Sequence, residues 1–448
     1  MYDRFNQIGL ASDFRRSARS TDTVTYAFLI IADDLSGAAD CAAGFVAAGF
    51  DSAVLLGDGD VGAPTPSAAV VTVDTDSRRD VATVAADKAR ATLARHGAGR
   101  RVVKKIDSTL RGGWAAEVAA LQPALGLALI APAFPDLGRT VRGGLVHVYG
   151  TPLAETATWR LEHADREARP AHLLEAAGLR TGLVPVVLLE GPPDALRRHI
   201  TQAREAGRQA LVFDTGHAAH LRALAAATLD LPDVFWVASA GLARELARRV
   251  PPLPTPASRS APVDDAWEPG LARCGLLTVV GSLSPVAERQ IGCLRARPGS
   301  SAHAIGADLL RTPPVAGATP APWAEAVRAD LARGLEPVVW IGADAVLDPA
   351  EGPRLARHLA LHLAPAMRES GGLVLTGGET ARIMLGRLGI ARLQVLGESE
   401  PGVVLLRELG PHRRFVATKA GAFGDDASLE RARQALRAHL ARAGSASS

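Results

Sequence analysis

The sequence has few cysteines and no familiar metal-binding spacing. Its 448 residues include only three cysteines, Cys41, Cys274 and Cys293, which lie far apart and form no CxxC pair. Its 12 histidines show neither an HExxH nor an HxH spacing. These absences argue against a disulfide framework and against a structural zinc site, and they predict a cytoplasmic protein.

Long apolar runs and blocks of like charge are also absent. No run of about 18 apolar residues occurs, so we expect neither a membrane span nor a membrane partner. The stretch 1–25 lacks the apolar segment of a secretory signal, and we interpret it as a polar N-terminal extension. The 50 basic and 47 acidic residues give a net charge of +3, and this balance does not favour a nucleic acid partner.

The main pattern that is present is an alternation of short apolar runs with segments of helical period. Runs rich in valine, leucine and isoleucine, such as FLII, VVTV, LALIA and LLTVV, precede polar turns and then alanine- and leucine-rich segments. Short apolar strands that alternate with helices are typical of parallel sheets covered on both faces. The predicted fold class is therefore α/β, with mainly parallel sheets.

One segment rich in proline, serine and alanine interrupts this alternation. The stretch VPPLPTPASRSAPVDDAWEPG has no hydrophobic periodicity, which favours an interdomain linker at 251–270 over a long surface loop. The linker would separate two α/β domains, 26–250 and 271–448. We expect the ligands to bind in a cleft between these domains.

Polar side chains follow three predicted strands of the first domain. The acids, hydroxyl groups and cations concerned are Asp33, Asp34, Ser77, Arg78, Lys105, Asp107, Ser108 and Arg111. Because open α/β sheets bind ligands at the carboxyl ends of their strands, this combination predicts a site for a polyhydroxylated anion. The alternative is a set of ordinary helix N-caps with solvated ion pairs, although two adjacent carboxylates repel one another without a nearby cation.

Three turns rich in glycine or serine lie between strand and helix in the second domain. They are GSLSP after LLTVV, GGET after LVLT, and GAFGDD after FVATKA. Glycine allows the backbone to approach phosphate oxygens, and a helix N-terminus attracts anions. The three turns favour a nucleotide over unrelated tight turns, although no Walker A or GxGxxG motif is present. Glu379 is placed to contact either Mg²⁺ through water or a ribose hydroxyl group.

Eight segments of the sequence, in this order, resemble the four-carbon acid sugar kinase family, which includes D-threonate, D-erythronate and 3-oxo-tetronate kinases. They are IADDLSGAAD, DTDSR, KKIDSTLRG, APAFPDLGRTVRGGLVHVYGTPLAET, VVGSLSP, LTGGETA, GESEPGV and TKAGAFGDD. The resemblance covers nearly everything from Tyr26 to the C-terminus. It implies a sugar-acid-binding domain at 26–250 and a nucleotide-binding domain at 271–448.

The resemblance also implies roles for individual residues. It places Asp33, Asp34, Ser77, Arg78, Lys105, Asp107 and Ser108 in the sugar-acid site, and the pattern of charges adds Arg111. It implies nucleotide contacts from Ser282, Ser284, Gly377, Gly378, Glu379, Thr380, Gly421, Ala422, Phe423, Gly424 and Asp425. No residue is assigned as a direct metal ligand.

The sequence thus predicts an ATP-dependent kinase that phosphorylates the terminal hydroxyl group of a tetronate or 3-oxo-tetronate, with ATP and Mg²⁺ as cofactors. Arg78 and Lys105 are expected to hold the carboxylate and hydroxyl groups of the acid. Asp107, Asp33 or Asp34 is expected to deprotonate the attacking hydroxyl. The alternative is a catalytically silent regulatory protein that binds the same ligands. The sequence is compatible with a homo-oligomer.

Overall fold

The fold consists of alternating strands and helices in two compact units. In the computed structural model the described residues are 26–57, 65–156, 159–160, 167–251, 275–282, 284–314, 320–342, 351–421 and 423–446. The first unit lies within Met1–Ser52 and Val61–Pro254, and the second within Ala53–Asp60 and Thr255–Ser448. The predicted extension 1–25 and the predicted linker, apart from its first residue, lie outside the described residues.

The N-terminal half of the chain supplies eleven of the described strands, eight of the described α-helices and two short 3-10 helices, Pro135–Leu137 and Leu153–Glu155. The strands are β1 (Phe28–Ala32), β2 (Ser52–Leu56), β3 (Val70–Asp74), β4 (Arg101–Lys105), β5 (Leu127–Ala131), β6 (Arg139–Arg142), β7 (Leu145–Val148), β8 (Thr151–Pro152), β9 (Thr181–Val184), β10 (Ala210–Phe213) and β11 (Val234–Ala238). The helices are α1 (Leu35–Ala47), α2 (Ala82–His96), α3 (Trp114–Leu125), α4 (Pro170–Ala176), α5 (Val186–Glu190), α6 (Pro193–Glu205), α7 (Ala218–Thr228) and α8 (Ala240–Arg249).

The first unit is built on a parallel sheet with the strand order β3-β1-β4-β11-β5-β10-β9. Every residue of β1, β3, β5 and β11 is buried. Since successive side chains of a strand point to opposite faces, helices must cover both faces of this sheet. A separate antiparallel sheet, β6-β7-β8, is bridged to the end of β10 through Val141 and Thr215.

The C-terminal half supplies the remaining described elements. The strands are β12 (Leu276–Val280), β13 (Ser300–Ile305), β14 (Glu336–Ile341), β15 (Gly372–Thr376), β16 (Arg392–Glu400), β17 (Val403–Glu408) and β18 (Phe415–Lys419). The helices are α9 (Pro285–Arg295), α10 (Ala307–Arg311), α11 (Pro322–Ala332), α12 (Gly352–Glu369), α13 (Gly378–Arg387) and α14 (Ser428–Ala446).

The second unit has a mixed sheet. Its strands β13-β14-β12-β15-β18 are parallel, and β17 and β16 continue the sheet in antiparallel pairing. The strand β2 adds to β16, also antiparallel, with Val54 opposite Leu393. The prediction of α/β domains with mainly parallel sheets is confirmed, whereas the antiparallel strands were not predicted.

Each unit has a hydrophobic core of its own. In the first, Phe28, Phe45 and Trp236 pack among aliphatic side chains of the sheet and of helices α1, α7 and α8. In the second, Val338 and Leu436 belong to a cluster formed by central strands and by helices α9 and α14. Across the described residues, every helix is too short or too polar to cross a bilayer.

Candidate functional site

Three adjacent strands of the first unit end at the same level. Strand β1 lies between β3 and β4, and Ala32, its last residue, is paired with both Asp74 and Lys105. The segments that follow these strands therefore emerge side by side at the carboxyl edge of the sheet. They carry the acids and cations that the sequence analysis assigned to one site, and their local contacts define what we call the acid site, Asp33, Asp34, Arg78, Lys105, Asp107 and Arg111.

An arginine is clamped between the two adjacent aspartates. Arg78 donates from Nε to Asp33 Oδ2 and from Nη2 to Asp33 Oδ1 and Asp34 Oδ1, each at 2.8 Å. Burial alone would raise the pKa of Asp33, but the guanidinium of Arg78, together with the charges of Lys104 and Lys105, outweighs burial and holds that pKa below its usual value. The cation that two neighbouring carboxylates require is thus supplied by the segment that follows β3.

Asp34 has a second task at the start of helix α1. Its Oδ1 accepts a hydrogen bond from the Gly37 N–H at 3.1 Å, so it is the N-cap of that helix. The cap interpretation and the site interpretation of this residue are therefore compatible. Asp34 remains 19% exposed, whereas Asp33 is 2% exposed behind Arg78, so an incoming ligand reaches Asp34 more easily.

The buried Lys105 faces the same helix N-terminus. Burial lowers the pKa of its ammonium group, but the carboxylates of Asp34 and Asp33 raise it more, and the net shift is upward. Gly37 makes this approach possible, because a Cβ there would lie 2.5 Å from Lys105 Nζ and 2.6 Å from Asp34 Oδ1. Burial raises the pKa of the Cys41 thiol to about 12, so the thiol is neutral at physiological pH.

Asp107, after β4, is held by the residues that follow it. It accepts hydrogen bonds from Arg111 Nε at 2.7 Å, from Arg111 Nη2 at 3.1 Å and from the Thr109 backbone N–H at 3.3 Å. Burial opposes ionisation, yet Arg111 and Arg78 keep the pKa of Asp107 well below its usual range. The carboxylate is therefore ionised at neutral pH and suited to orient a hydroxyl group. Ser108, next to it, is half-buried.

Ser77 lies deeper than the other predicted contacts. Its Oγ is 2.8 Å from Glu117 Oε1 and 2.8 Å from Thr75 Oγ1, and the residue is 1% exposed. Glu117 in turn pairs with Lys104 at 2.9 Å, and both side chains are almost fully buried. The sequence analysis missed this buried pair, which lies behind the acid site and fixes the segment after β3. A substrate contact by Ser77 stays a prediction.

The second unit repeats the arrangement of three aligned strand ends. Strand β15 lies between β12 and β18, and Thr376 is paired with both Val280 and Lys419. The three turns rich in glycine or serine that the sequence analysis selected thus emerge side by side. We call these three turns the glycine turns; they are the described residues of 281–284, 377–380 and 420–425, without 283 and 422.

Close approach between neighbouring turns explains two of the glycines, because side-chain hydroxyl groups occupy the space of their missing Cβ atoms. A Cβ on Gly281 would lie 1.8 Å from Thr380 Oγ1, and one on Gly421 would lie 2.4 Å from Ser282 Oγ. Gly377 has φ +91°, which an L-residue rarely adopts, whereas Gly378 begins helix α13. The conformational requirement for glycine in GGET therefore falls on Gly377.

Hydroxyl groups join the first and third glycine turns. Ser282 Oγ is 3.1 Å from Ser284 Oγ, which accepts from the Ala287 N–H at 3.2 Å as the N-cap of α9. Ser284 Oγ also donates to the Gly421 carbonyl at 3.1 Å. The predicted nucleotide contacts of these serines stay predictions, but their positions at one strand edge fit an anion site.

The remaining predicted nucleotide residues lie around the second and third turns. Glu379 is half-buried in the first turn of α13, next to the buried Thr380. Asp425 accepts from the Ala427 N–H at 2.9 Å and from Arg431 Nη2 at 2.7 Å. Phe423 and Gly424 precede it in the turn, and Ala422 lies outside the described residues.

Carboxylates of the acid site are a poor fit for a resident magnesium ion. Asp33, Asp34 and Asp107 are each paired with an arginine, and none of the three is free to act as an unpaired ligand. Mg²⁺ instead commonly reaches a kinase site on the phosphates of ATP, with water completing its coordination.

Among the described residues, one group of three possible metal ligands has its ligand atoms within 4.8 Å of one another. It consists of Glu190, His217 and His220. It lies after β9 and β10, away from the acid site. The Gly216 N–H donates to His220 Nδ1 at 3.0 Å, so His220 Nε2 carries the proton and faces Glu190 Oε1 at 3.2 Å. This tautomer favours a hydrogen bond over metal ligation.

Comparison with known proteins supports the division into two units. Residues 28–246 match the family model described as a sugar-binding N-terminal domain. Residues 277–429 match the model described as a nucleotide-binding C-terminal domain. The acid site lies inside the first match, and the glycine turns lie inside the second.

Whole-chain similarity extends over curated proteins and a solved structure. The chain is 45% identical to a D-threonate kinase of Cupriavidus necator over 425 residues, which cover 91% of this chain and 98% of that protein. It is 29% identical to a 3-oxo-tetronate kinase of Methylobacterium radiotolerans, covering 88% of this chain and 95% of that one. A Haemophilus influenzae crystal structure shares the fold, with a TM-score of 0.69 at 20% identity, covering 91% of this chain and 100% of that one.

Proposed function

The chain belongs to the four-carbon acid sugar kinase family, and from this premise we propose that it transfers the γ-phosphoryl group of ATP to the terminal hydroxyl group of a tetronate or 3-oxo-tetronate. The observation that carries the proposal is the acid site itself. Charged side chains of both signs converge there, at a strand edge inside the region that matches a sugar-binding domain. Such a site suits a small anion with several hydroxyl groups.

Accessibility suggests which residues meet the acid. Arg78 is 20% exposed and Arg111 39%, so both guanidinium groups can offer N–H donors to a carboxylate or hydroxyl group. Lys105 is 6% exposed, and its positive charge acts mainly through the field it adds. We assign Arg78 and Arg111 to direct binding and Lys105 to charge balance beside Asp34.

Among the three aspartates, exposure favours Asp34 and Asp107 over Asp33 for contact with the attacking hydroxyl. Asp107 is 14% exposed, and its low pKa makes it a weak base before the reaction begins. Phosphoryl transfer through a loose transition state asks for positioning more than for early proton removal. In this proposal Asp107 orients the hydroxyl oxygen and accepts its proton late, when the new bond to phosphorus has largely formed.

The nucleotide is assigned to the glycine turns. Helices α9 and α13 begin at two of these turns, and the N-terminus of a helix attracts phosphate oxygens. Magnesium arrives with the nucleotide, as part of the MgATP substrate. Glu379 is placed to contact that complex through water or through a ribose hydroxyl group.

A coupled assay of ADP release tests this function. The full chain would be incubated with MgATP and, in turn, D-threonate, L-threonate, D-erythronate, L-erythronate and 3-oxo-tetronates. We expect acid-dependent ADP release and a phosphorylated acid visible by mass spectrometry. Binding of ATP and of an acid without turnover on any member of the panel would support the silent regulatory protein instead.

A further inference from the structure

We propose that Lys419 and Gln290 are positioning residues that turn carbonyl groups of the third glycine turn inward, so that the peptide N–H groups of Gly421 and Gly424 face the phosphates of the nucleotide. This inference rests on the proposed function for the identity of the ligand. The sequence analysis assigned no role to either residue, although Lys419 lies in the segment TKAGAFGDD, and both are buried.

The ammonium group of Lys419 sits inside the turn that it precedes. Its Nζ donates to the carbonyl oxygens of Ala420 at 2.9 Å, Gly421 at 3.3 Å and Phe423 at 2.8 Å. The residue is 2% exposed, so its three donors are used within the protein. The carbonyl oxygens of Ala420, Gly421 and Phe423 therefore surround the ammonium group of Lys419.

Two side chains from helix α9 and its N-cap complete this inward arrangement. Gln290 Nε2 donates to the carbonyl oxygens of Phe423 at 3.1 Å and Asp425 at 2.7 Å. Ser284 Oγ donates to the Gly421 carbonyl at 3.1 Å. Four carbonyl groups of the turn, those of residues 420, 421, 423 and 425, are therefore engaged from the inside.

Peptide geometry gives this arrangement a consequence on the outside. In a trans peptide the N–H points opposite to the carbonyl of the same peptide unit. Because the carbonyls of Ala420 and Phe423 point toward Lys419, the N–H groups of Gly421 and Gly424 point away from it. The Phe423 N–H is used inside the turn, where it donates to the Ala420 carbonyl at 3.1 Å, so the outward donors are the N–H groups of Gly421 and Gly424. Main-chain N–H groups that point to one side of a turn provide donors for an anion. The buried charge of Lys419 adds a favourable field for phosphate behind them.

The charged groups around Lys419 determine the pH at which its hydrogen bonds to the turn weaken. Burial lowers the pKa of Lys419 to about 8, and Glu400 on β16 counteracts part of that shift. Arg431, on helix α14, pairs with both Glu400 and Asp425. The ammonium group is therefore mostly protonated at pH 7. Above pH 8 it becomes an amine, which has two N–H donors for three carbonyl groups and no charge.

The first test needs no substitution. We expect the dissociation constant of the wild-type protein for MgATP, measured by calorimetry, to rise about tenfold between pH 7 and pH 9.5, the scale of one charge-assisted hydrogen bond. Binding of the sugar acid is the internal control, because the pKa of Lys105 is shifted upward, so that Lys105 stays charged over this range. A flat ATP profile would overturn the inference.

Substitutions at the two residues provide the second test. Lys419→Met should raise the dissociation constant for MgATP at pH 7 by about tenfold or more, and this constant should no longer increase with pH. Lys419→Arg is charged at every pH used, so its dissociation constant for MgATP should also be independent of pH. Gln290→Leu should weaken binding while keeping the profile. In Lys419→Met, hydrogen exchange at 421–426 should be faster without nucleotide. Lys88→Met, at an exposed lysine of the first unit, should change none of these quantities.

The outcomes separate this inference from the proposed function. Acid-dependent kinase activity with unchanged MgATP affinity in Lys419→Met and Gln290→Leu would overturn the inference and leave the function standing. The expected pH profile of MgATP binding without phosphorylation of any acid would support the inference and overturn the function. Absence of MgATP binding in the wild-type protein would overturn both.

Discussion

The acid site and the glycine turns both lie at the carboxyl ends of three parallel strands, but they differ in the groups that they present. The acid site presents charged side chains, and the glycine turns present main-chain groups. In each unit, three adjacent parallel strands end in register, Asp74, Ala32 and Lys105 in one and Val280, Thr376 and Lys419 in the other. The first unit fills the strand ends with charged side chains paired to one another. The second fills them with glycines whose missing Cβ atoms leave room for the side chains of Thr380 and Ser282 from neighbouring turns. The same edge of a sheet can therefore present either side-chain or main-chain donors.

The difference suits the two ligands that we propose. A four-carbon acid presents a carboxylate and hydroxyl groups, which need donors and acceptors in fixed directions, and an arginine–aspartate network supplies both. The phosphates of ATP present only acceptors, and main-chain N–H groups with a helix N-terminus are sufficient for them. The comparison predicts that removal of charge damages the first site, whereas addition of a methyl group damages the second.

Asp107→Asn should have the largest effect. Asparagine keeps the shape and can still accept from Arg111, but it loses the negative charge that orients the hydroxyl group. We expect turnover to fall by about 10²- to 10⁴-fold, the scale of a positioned acid–base group. The measurement is kcat with the preferred acid, beside a melting curve. Asp87→Asn, at an exposed aspartate, is the matched control. Near wild-type turnover in folded Asp107→Asn would remove Asp107 from the mechanism.

Arg78→Ala should damage the first unit alone. It leaves Asp33 buried without its guanidinium partner, and removal of one member of a buried pair typically costs about 3–5 kcal/mol of unfolding free energy. Binding of the sugar acid should be lost, whereas calorimetry should give an unchanged MgATP affinity. A variant that binds the acid normally would show that the charge network supports the fold and not the ligand.

Much of the acid site could be predicted because its residues directly follow their strands in the sequence. Asp33, Arg78 and Asp107 each lie within a few residues of an apolar run, so a parallel sheet must bring them to one edge. Their partners were harder to predict. The pairing of Glu117 with Lys104 and Ser77 depends on how helix α3 packs, and no local pattern marks a helical glutamate as buried.

Nonlocal contacts also limited what could be predicted in the second unit. The requirement for glycine at Gly281 comes from Thr380, which lies in another turn. Strand β2 lies within 26–250 in the sequence but pairs with β16, far away in the chain, and no local pattern indicates such a partner. The sequence located the three glycine turns because glycine, serine and helix starts are local signals. It did not locate Gln290, whose role depends on packing against residues 423–425.

Gly281→Ala tests the second half of the comparison. The new Cβ would overlap Thr380 Oγ1, and overpacking of this kind costs about 1–3 kcal/mol of unfolding free energy. MgATP should bind more weakly, and acid binding should be unchanged. Adding Thr380→Ala should restore part of the stability, because it removes the clashing hydroxyl and methyl groups but keeps the Cβ of residue 380, 2.5 Å from the new Cβ. Gly292→Ala, on an exposed helical position with open space around it, should be neutral or slightly stabilising. Equal damage from both glycine substitutions would show that close approach is not the cause.

Gly37→Ala should give the smallest effect. It is the most direct test of the comparison, because it places a methyl group in the acid site, where charged side chains and not glycines are expected to determine binding. The Cβ would displace the Lys105 ammonium group and crowd Asp34. Alanine is also the better helix former by about 1 kcal/mol, so the melting temperature should change little. We expect the dissociation constant of the sugar acid to rise about tenfold, which corresponds to about 1.4 kcal/mol, and MgATP affinity to stay constant. An unchanged acid affinity would mean that the position of Lys105 does not matter for the ligand. A loss of MgATP affinity would contradict the assignment of the two ligands to separate strand edges.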